Sequence, residues 1–282
     1  MKVVDLKCTF QYGMHGCGYY KGASHANSLE AMQYWMRHGV KVIEIDICKT
    51  IDDKFVAMAH LLNSKFLNAL DINPDKDNSQ DKFTGHWFMR QRLCKRSTGG
   101  LSPMNLAMII EEMTKNSEVV VMFDLWGLWD VDSAKLFAEQ INRLEQNIKD
   151  RCVLEVYNKK MLAGIREVNS SLFVMYCVHG SSAAEFDENV SPEILKKLGV
   201  DIISYPWVCT KGHPGELEKY HQEGFTIFSL SHDNRLNKQM RDVGVNVNLI
   251  DVFYSPKYYA LSLMDRVRMK IRTVLHKYKI EL

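Results

Sequence analysis

Two carboxylates separated by one residue, Glu44 and Asp46, are the side chains in this sequence with the clearest chemical potential. They lie in the apolar run 42–47 (VIEIDI), which predicts a strand. Because side chains alternate along a strand, the two carboxylates share one face and the isoleucines the other. Two buried anions side by side require a neutralising cation. Oxygen ligands suit calcium, magnesium or manganese, but a lysine or arginine from another strand would also neutralise the pair.

A histidine is predicted to lie beside this acidic pair. Only thirteen residues separate Asp46 from His60, too few for a parallel crossover, so a hairpin with the turn 52–54 is the natural connection. With that turn, Ile51 opposes Phe55 and His60 opposes Asp46 on the same face. A two-residue turn would send His60 to the other face.

Two further residues have suitable positions for the same site. His15 ends a short β-like run and enters a glycine-rich loop, and Asp124 lies late in the apolar run 118–125. Active sites of α/β barrels lie at the carboxyl ends of the strands, so Asp124 is a candidate third ligand; its alternative role is a helix cap or loop acceptor. Glu155 and Tyr157 alternate onto one face, where they would line the pocket or form hydrogen bonds in the core.

The elements that position these residues alternate between strand and helix along most of the chain. This alternation predicts an α/β fold with a mostly parallel sheet, and about eight strands over this length favour a closed barrel over an open sheet. We therefore expect a distorted TIM (β/α)8 barrel. The predicted strands are 40–48, 55–60, 118–125, 152–157, 171–178, 200–206, 225–230 and 245–252.

Capping residues predict where three helices begin. Asn27, with Glu30 three residues later, forms a pattern like a capping box, and Gly39 ends that helix. Ser102, followed by a proline, predicts a second start. A third helix is expected after Asp132.

Two stretches interrupt the alternation. Residues 61–100 are polar, irregular and too long for an ordinary connection, which indicates a functional insertion or disorder. Residues 1–256 form the predicted barrel, and 257–282 its last helix and a basic, amphipathic C-terminal extension. That extension either packs on the barrel or a partner chain, or lies peripherally on an anionic membrane.

Composition limits the function classes. A hydrophobic content of 46% with 25% charged residues describes a globular chain, and the net charge of +2 gives no reason to expect a nucleic-acid partner. No apolar run approaches the ~18–20 residues that a membrane span needs. Asp5 and Lys7 stand where a signal peptide has its apolar core, and the seven scattered cysteines suit a reducing compartment. We expect a cytoplasmic protein without a disulfide framework.

With these residues placed, the sequence resembles the glycerophosphodiester phosphodiesterase family, within the phosphatidylinositol-phospholipase-C-like barrels. The resemblance extends from about His15 to Asp251. It rests on the order and spacing of His15, the helix start Asn27-Ser28-Leu29-Glu30-Ala31, the pair Glu44-x-Asp46, the turn 50–54 and His60.

This resemblance implies metal-dependent hydrolysis of a glycerophosphodiester to glycerol phosphate and an alcohol, or of a related glycerol-phosphate or lipid headgroup. One divalent cation, Ca²⁺ or Mg²⁺ with Mn²⁺ as a further candidate, would be held by Glu44, Asp46 and Asp124. His15 and His60 would act as an acid–base pair, and the insertion after His60 would cover the mouth of the site. The implied substrate is a small-molecule or lipid-headgroup phosphodiester.

The sequence departs from the family pattern at several positions. Gly16 stands where the family usually has arginine, and Leu61 where it has aspartate. Asp124 and Trp126 stand where it has glutamate and a phosphate-binding lysine, so Trp126 is a candidate substrate contact and Lys49 a candidate replacement cation. A sphingomyelinase-D-like or polymer-directed phosphodiesterase therefore stays open, as does a non-catalytic barrel that binds phosphorylated ligands or membranes.

Overall fold

Eight parallel strands of this computed structural model close into a barrel, and a short ninth strand pairs antiparallel with one of them. The structure describes residues 1–23, 25–58, 83–94, 99–128, 130–178, 190–205 and 214–252. The strands are β1 (Gln11–Met14), β2 (Val42–Lys49), β3 (Phe55–Ala57), β4 (Val120–Gly127), β5 (Cys152–Val156), β6 (Val174–Cys177), β7 (Ile202–Tyr205), β8 (Thr226–Asp233) and β9 (Val247–Val252).

The first strand closes the barrel. Met14 of β1 is paired with Ile250 of β9 on one side and with Ile43 of β2 on the other, both in parallel register. The predicted TIM-like barrel is confirmed, although its membership differs from the eight predicted strands. β1 completes the ring, whereas β3 lies outside it as the antiparallel partner of β2.

Helices lie between successive parallel strands, as the strand–helix alternation predicts. They are α1 (Leu29–Arg37), α2 (Gly85–Met89), α3 (Leu106–Lys115), α4 (Val131–Asn142), α5 (Gln146–Lys149), α6 (Lys159–Val168), α7 (Pro192–Lys197), α8 (Pro214–Gln222) and α9 (Asn237–Asp242). Short 3-10 helices span Val3–Cys8, His15–Cys17 and Asn234–Leu236. Within the described residues, no helix is both long and apolar enough to cross a membrane.

An apolar layer fills the barrel below the predicted site. Val3 and Leu6, from the first 3-10 helix, pack against this layer, and a side chain at Gly13 would lie 2.8 Å from the Leu249 side chain. The amino-terminal half of the barrel interior is therefore apolar and packed, which leaves the carboxyl ends of the strands for polar groups. The strand residues of the layer are Val42, Val120, Met122, Val153, Met175, Ile202, Phe228, Val247 and Leu249.

The first helix begins one residue later than the sequence predicts. Ser28, not Asn27, is the N-cap, and its hydroxyl accepts a hydrogen bond from the Ala31 N–H. The Asn27 side chain is engaged elsewhere, with Asp46. The Glu30 carboxylate accepts from the backbone N–H of Ser102, so the predicted capping box does not form.

The other two predicted helix starts are also displaced. Asn105 caps α3 and Asp130 caps α4, each through its side-chain oxygen. Ser102 was predicted as the cap of α3, but Pro103, which follows it, forms an extended bridge with Ser28. Asp132 lies in the first turn of α4 and not at its cap.

The hairpin that follows β2 has a longer turn than predicted. Lys49 is paired with Phe55, so the turn contains residues 50–54 instead of 52–54. The Thr50 hydroxyl donates to the Asp52 carboxylate and accepts from the Lys54 N–H, at 2.6 and 3.0 Å. These side-chain bonds, together with a positive φ of 55° at Asp53, stabilise the five-residue turn.

The longer turn shifts the register by two residues. The Met58 N–H donates to the carbonyl of Asp46, so the predicted pairing of Asp46 with His60 is wrong. β3 ends at Ala57, and His60 lies outside the described residues.

Part of the predicted insertion 61–100 packs against the hairpin. Phe83, Phe88 and Leu93 are buried in one cluster with Cys48 and Val56, so this part has its own apolar core. Residues 59–82 and 95–98 lie outside the described residues, as does the predicted C-terminal extension 257–282.

Candidate active site

Three carboxylates converge at the carboxyl ends of β2 and β4. Asp46 and Asp124 are direct neighbours across the two strands, and Glu44 lies on the same face of β2 one pleat below Asp46. One oxygen from each of Glu44, Asp46 and Asp124 lies within 4.8 Å of the others. Their residues are only 1%, 6% and 9% exposed. The structure thus brings together the three predicted metal ligands.

The electrostatics of this cluster fit a divalent cation. Glu44 Oε1 is buried and has no hydrogen-bond partner among the residues that the structure describes. Burial, followed by repulsion from Asp46 and Asp124, raises the pKa of Glu44 well above its usual value. Across the described part of the chain, no lysine or arginine forms an ion pair with Glu44 or Asp124. A hard cation would satisfy the orphaned oxygen and offset the repulsion.

Asn27 fixes the orientation of one of these carboxylates. Its side-chain N–H donates to Asp46 Oδ2 at 2.7 Å, and its side-chain oxygen accepts from the Asp46 backbone N–H at 3.1 Å. Asn27 is completely buried and has a positive φ of 45°. Sequence reasoning missed this contact because it assigned the residue to the helix cap.

Asp124 is held by two donors. The Tyr157 hydroxyl and the Trp126 backbone N–H both donate to Asp124 Oδ1 at 2.7 Å. The Trp126 and Tyr157 rings meet edge to face, with centroids 4.9 Å apart. Glu155 is paired with Asp124 across β4 and β5, and burial raises its pKa to about 7. Three of the four predicted substrate-binding residues therefore lie around Asp124.

The fourth predicted substrate-binding residue, Lys49, lies at the end of β2. Its Nζ is 3.1 Å from the Asp53 carboxylate, within the five-residue turn. This ion pair is on the chain segment that leaves the barrel toward β3.

His15 immediately follows β1, and its side chain reaches the acidic cluster. Its Nε2 lies 3.9 Å from Glu44 Oε2, and its Nδ1 lies 2.8 Å from Asp251 Oδ1. Burial, followed by the neighbouring His25 ring, lowers the pKa of His15, while the Asp251 carboxylate opposes this shift. The Gly16 N–H also donates to Glu44 Oε2, which ties the loop after β1 to the cluster.

A second histidine, which no periodic pattern in the sequence indicates, lies beside His15. His25 Nε2 lies 2.5 Å from His15 Nδ1 and 2.8 Å from Asp251 Oδ1. A Cβ on Gly16 would lie 2.8 Å from His25 Cα. The absence of a side chain at position 16 therefore gives His25 the room to approach His15.

The comparisons with known proteins bear on the fold. Neither the protein-family models nor the curated proteins contain a match to this sequence. Solved structures do match. A glycerophosphodiester phosphodiesterase from Parabacteroides distasonis superposes with a TM-score of 0.63 at 17% identity, covering 94% of this chain and 99% of that one.

Two further solved structures are similar over most of their length. A phosphodiesterase from Oleispira antarctica, in complex with the product sn-glycerol-3-phosphate, has a TM-score of 0.65 at 15% identity and covers 86% of this chain and 92% of that one. A glycerophosphodiester phosphodiesterase from Agrobacterium tumefaciens has a TM-score of 0.59 at 13% identity, with coverages of 86% and 96%. At these identities the likeness establishes a shared fold.

Proposed function

Starting from a fold shared with the glycerophosphodiester phosphodiesterases, we propose that this protein is a phosphodiesterase that uses one divalent cation. The proposed reaction hydrolyses a glycerophosphodiester, or a related glycerol-phosphate or lipid headgroup, to a phosphomonoester and an alcohol. Glu44, Asp46 and Asp124 would hold the cation, and His15 and His60 would move the protons.

The observation that carries this proposal is the orphaned Glu44 oxygen inside the carboxylate cluster, next to a histidine. Buried polar atoms are usually hydrogen-bonded, so an unpaired carboxylate oxygen inside an acidic cluster calls for a partner such as a cation. When bound there, a Ca²⁺ or Mg²⁺ ion supplies Lewis-acid polarisation of a phosphodiester oxygen and stabilises negative charge in the transition state.

The residues of this chain would handle the protons of the reaction. With Asp251 accepting the Nδ1–H of His15, Nε2 carries the lone pair and faces the cluster, 3.9 Å from Glu44 Oε2. In hydrolysis, one histidine removes a proton from the attacking water or substrate hydroxyl. The other gives a proton to the alkoxide as the P–O bond to the leaving alcohol breaks. The pairing of His15 with His60 in these roles is part of the proposal.

The glycerol-phosphate part of the substrate rests on one structural neighbour. The Oleispira antarctica phosphodiesterase that shares the fold holds sn-glycerol-3-phosphate as its product. The leaving alcohol would contact the ring pair of Trp126 and Tyr157, which stands beside Asp124.

The test is an assay of alcohol or phosphomonoester release from a small panel. The panel contains glycerophosphocholine, glycerophosphoethanolamine, a lysophospholipid and a glycerol-phosphate polymer, each with added Ca²⁺ or Mg²⁺. We expect a chelator and Glu44→Gln to abolish turnover, and His15→Ala to lower it by about 10²–10⁴-fold, the usual contribution of a general acid or base.

His86→Ala is the matched control, because His86 is an exposed histidine on α2 and its loss should leave turnover unchanged. Turnover that persists in both Glu44→Gln and His15→Ala would contradict the proposed site. Preference for the lysophospholipid or the polymer would identify the sphingomyelinase-D-like or polymer-directed alternative.

One observation favours a second candidate function, a barrel that binds phosphorylated ligands without turnover. Trp126 supplies a backbone N–H to Asp124 at the position where the resemblance implies a phosphate-binding lysine. Calorimetric binding of glycerol phosphate in the presence of metal, with no turnover of any panel member, would support this candidate.

A further inference from the structure

A second cluster of potential metal ligands lies beside the carboxylate cluster, and it contains two imidazoles where the first contains only carboxylates. His15 Nδ1, His25 Nε2 and Asp251 Oδ1 form a small triangle. The two nitrogen–oxygen distances are both 2.8 Å and the nitrogen–nitrogen distance is 2.5 Å. The three side chains are 24%, 29% and 16% exposed, so the cluster is partly open to solvent.

Protons alone do not satisfy this triangle. A ring nitrogen either carries a proton or offers a lone pair, and an ionised carboxylate oxygen offers only lone pairs. Among three atoms in mutual contact, at least two must then both be donors or both be acceptors, and those two cannot hydrogen-bond to each other. If both rings donate to Asp251, two N–H groups face each other across the 2.5 Å edge. A cation at the centre removes the conflict, because all three atoms can then direct lone pairs at it.

The barrel and its first loop hold these three residues together. His15 follows Met14, and Met14 is paired with Ile250, so the ends of β1 and β9 place His15 next to Asp251. His25 reaches the same point from the loop, where it has a positive φ of 53° and lies against the bare backbone of Gly16. Closure of the barrel and the path of the first loop therefore bring the three side chains together.

We propose that His15, His25 and Asp251 form a second metal site, which takes a transition ion such as Zn²⁺. Imidazole ligands favour zinc and its neighbours, whereas the all-oxygen cluster of Glu44, Asp46 and Asp124 favours magnesium or calcium. Three protein ligands leave a position for water or a ligand oxygen. Tetrahedral bonds of ~2.0–2.1 Å would set the ligand atoms about 3.3 Å apart, so binding spreads them by less than about 1 Å.

The two sites share one residue. His15 Nδ1 points into the histidine cluster, and His15 Nε2 lies 3.9 Å from Glu44 Oε2. An imidazole that coordinates an ion through Nδ1 keeps its proton on Nε2, the tautomer opposite to the one in which Asp251 accepts the Nδ1–H. Zinc in the second site would thus leave His15 able to donate a proton toward the first site but not to accept one.

The experiment measures zinc binding and needs neither substrate nor turnover, so its result is independent of the proposed function. The full-length protein is dialysed against Zn²⁺ with millimolar Mg²⁺ present to fill the carboxylate site, and bound zinc is measured by mass spectrometry. The variants are His25→Gln, Asp251→Asn and Glu44→Gln, with His86→Gln as a matched control on α2. Circular dichroism confirms that each variant is folded.

We expect the wild type to bind one zinc ion more than His25→Gln. The zinc affinity of that variant should fall by at least about 100-fold, because losing a metal ligand costs more than the 10–100-fold cost of losing an outer partner. Asp251→Asn should also weaken zinc binding. If His25→Gln does not fold, Asp251→Asn alone serves as the test. Glu44→Gln and His86→Gln should keep the zinc. Equal zinc binding by the wild type and both site variants would overturn the proposal, as would zinc lost in Glu44→Gln but kept in His25→Gln.

Discussion

Asn27 is the residue whose single side chain connects the first loop to the acidic cluster. Its amide both donates to Asp46 and accepts from it, which fixes the direction in which that carboxylate points. Outer partners of metal ligands usually contribute 10–100-fold to metal affinity. In the proposed site, Asn27 would therefore position a metal ligand without being one.

Replacing Asn27 with Ala is expected to weaken Ca²⁺ or Mg²⁺ binding by about 10–100-fold, because the Asp46 carboxylate loses its buried partner. Isothermal titration calorimetry measures the change. Asn105→Ala is the matched control, since Asn105 caps α3 and its loss should cost about 1 kcal/mol of stability without changing metal affinity. Equal affinity in both variants would contradict the role assigned to Asn27.

Glu155 makes the stability of the metal-free protein depend on pH. Burial raises its pKa from 4.5 to about 7, so the folded state holds a proton that the unfolded state releases. The resulting stability is complete below pH 4.5 and is lost as the pH rises toward 7. A shift of this size corresponds to a loss on the order of 3 kcal/mol.

Urea unfolding in a chelator, at pH values from 4.5 to 8, tests this dependence. The Glu155→Gln variant should show a shallower fall in the free energy of unfolding across that range than the wild type. A fall of the same depth in both proteins would assign the dependence to other carboxylates, such as Glu44 and Asp124.

At the scale of elements, the loop between β1 and α1 depends on a glycine for its path. Gly16 has a φ of 54°, and a Cβ there would lie 2.8 Å from both Cα and Cδ2 of His25. An alanine at this position would have an unfavourable left-handed backbone conformation, and its Cβ would collide with the His25 backbone. The collision would displace the loop that supplies both His25 and Asn27.

Gly16→Ala is expected to lower the free energy of unfolding by about 2–4 kcal/mol, which combines a left-handed residue of about 1 kcal/mol with overpacking of about 1–3 kcal/mol. Gly39→Ala is the matched control, because Gly39 has a φ of 80° with nothing within 4 Å of a built Cβ and should lose only about 1 kcal/mol. Urea unfolding compares the two variants, and equal losses would show that the contact with His25 costs nothing.

The elements also show what the sequence could predict. Alternation in β2 predicts that Glu44 and Asp46 share a face, and the carboxyl-end rule predicts Asp124 nearby; the structure brings the three together. These signals depend on regular backbone, where the period of two is reliable. Their roles as metal ligands stay a prediction.

Irregular backbone explains two failures of the sequence-based predictions, the contacts of the loop after β1 and the register between β2 and β3. The loop after β1 contains left-handed residues at Cys17, His25 and Asn27, and no periodic pattern indicates where such a loop directs its side chains. The β2–β3 register depended on where the turn begins, and Thr50, bonded to Lys54 through its backbone N–H and its hydroxyl, begins it two residues earlier than predicted. In both loops the path of the backbone depends on hydrogen bonds that side chains make to loop residues, and a periodic pattern does not reveal such bonds.

On the scale of the whole molecule, a bound cation should stabilise the barrel. An ion at 100 times its dissociation constant adds about 2.7 kcal/mol, which corresponds to roughly 4–5 °C in Tm for a chain of 282 residues. Differential scanning fluorimetry with Ca²⁺ or Mg²⁺ against a chelator measures the shift. Glu44→Gln should lose it, and a shift that survives in Glu44→Gln would place the stabilising ion elsewhere.

The barrel closes through its first and last strands, and this has a consequence during synthesis. His15 and Asp251 are 236 positions apart in the chain, so at ~5–20 residues per second the ribosome needs roughly 12–50 s to make the partner of the first histidine. Throughout that interval β1 has no β9 to pair with, and the nascent chain holds half of an unfinished site. The proposed activity would then begin only once translation has passed β9.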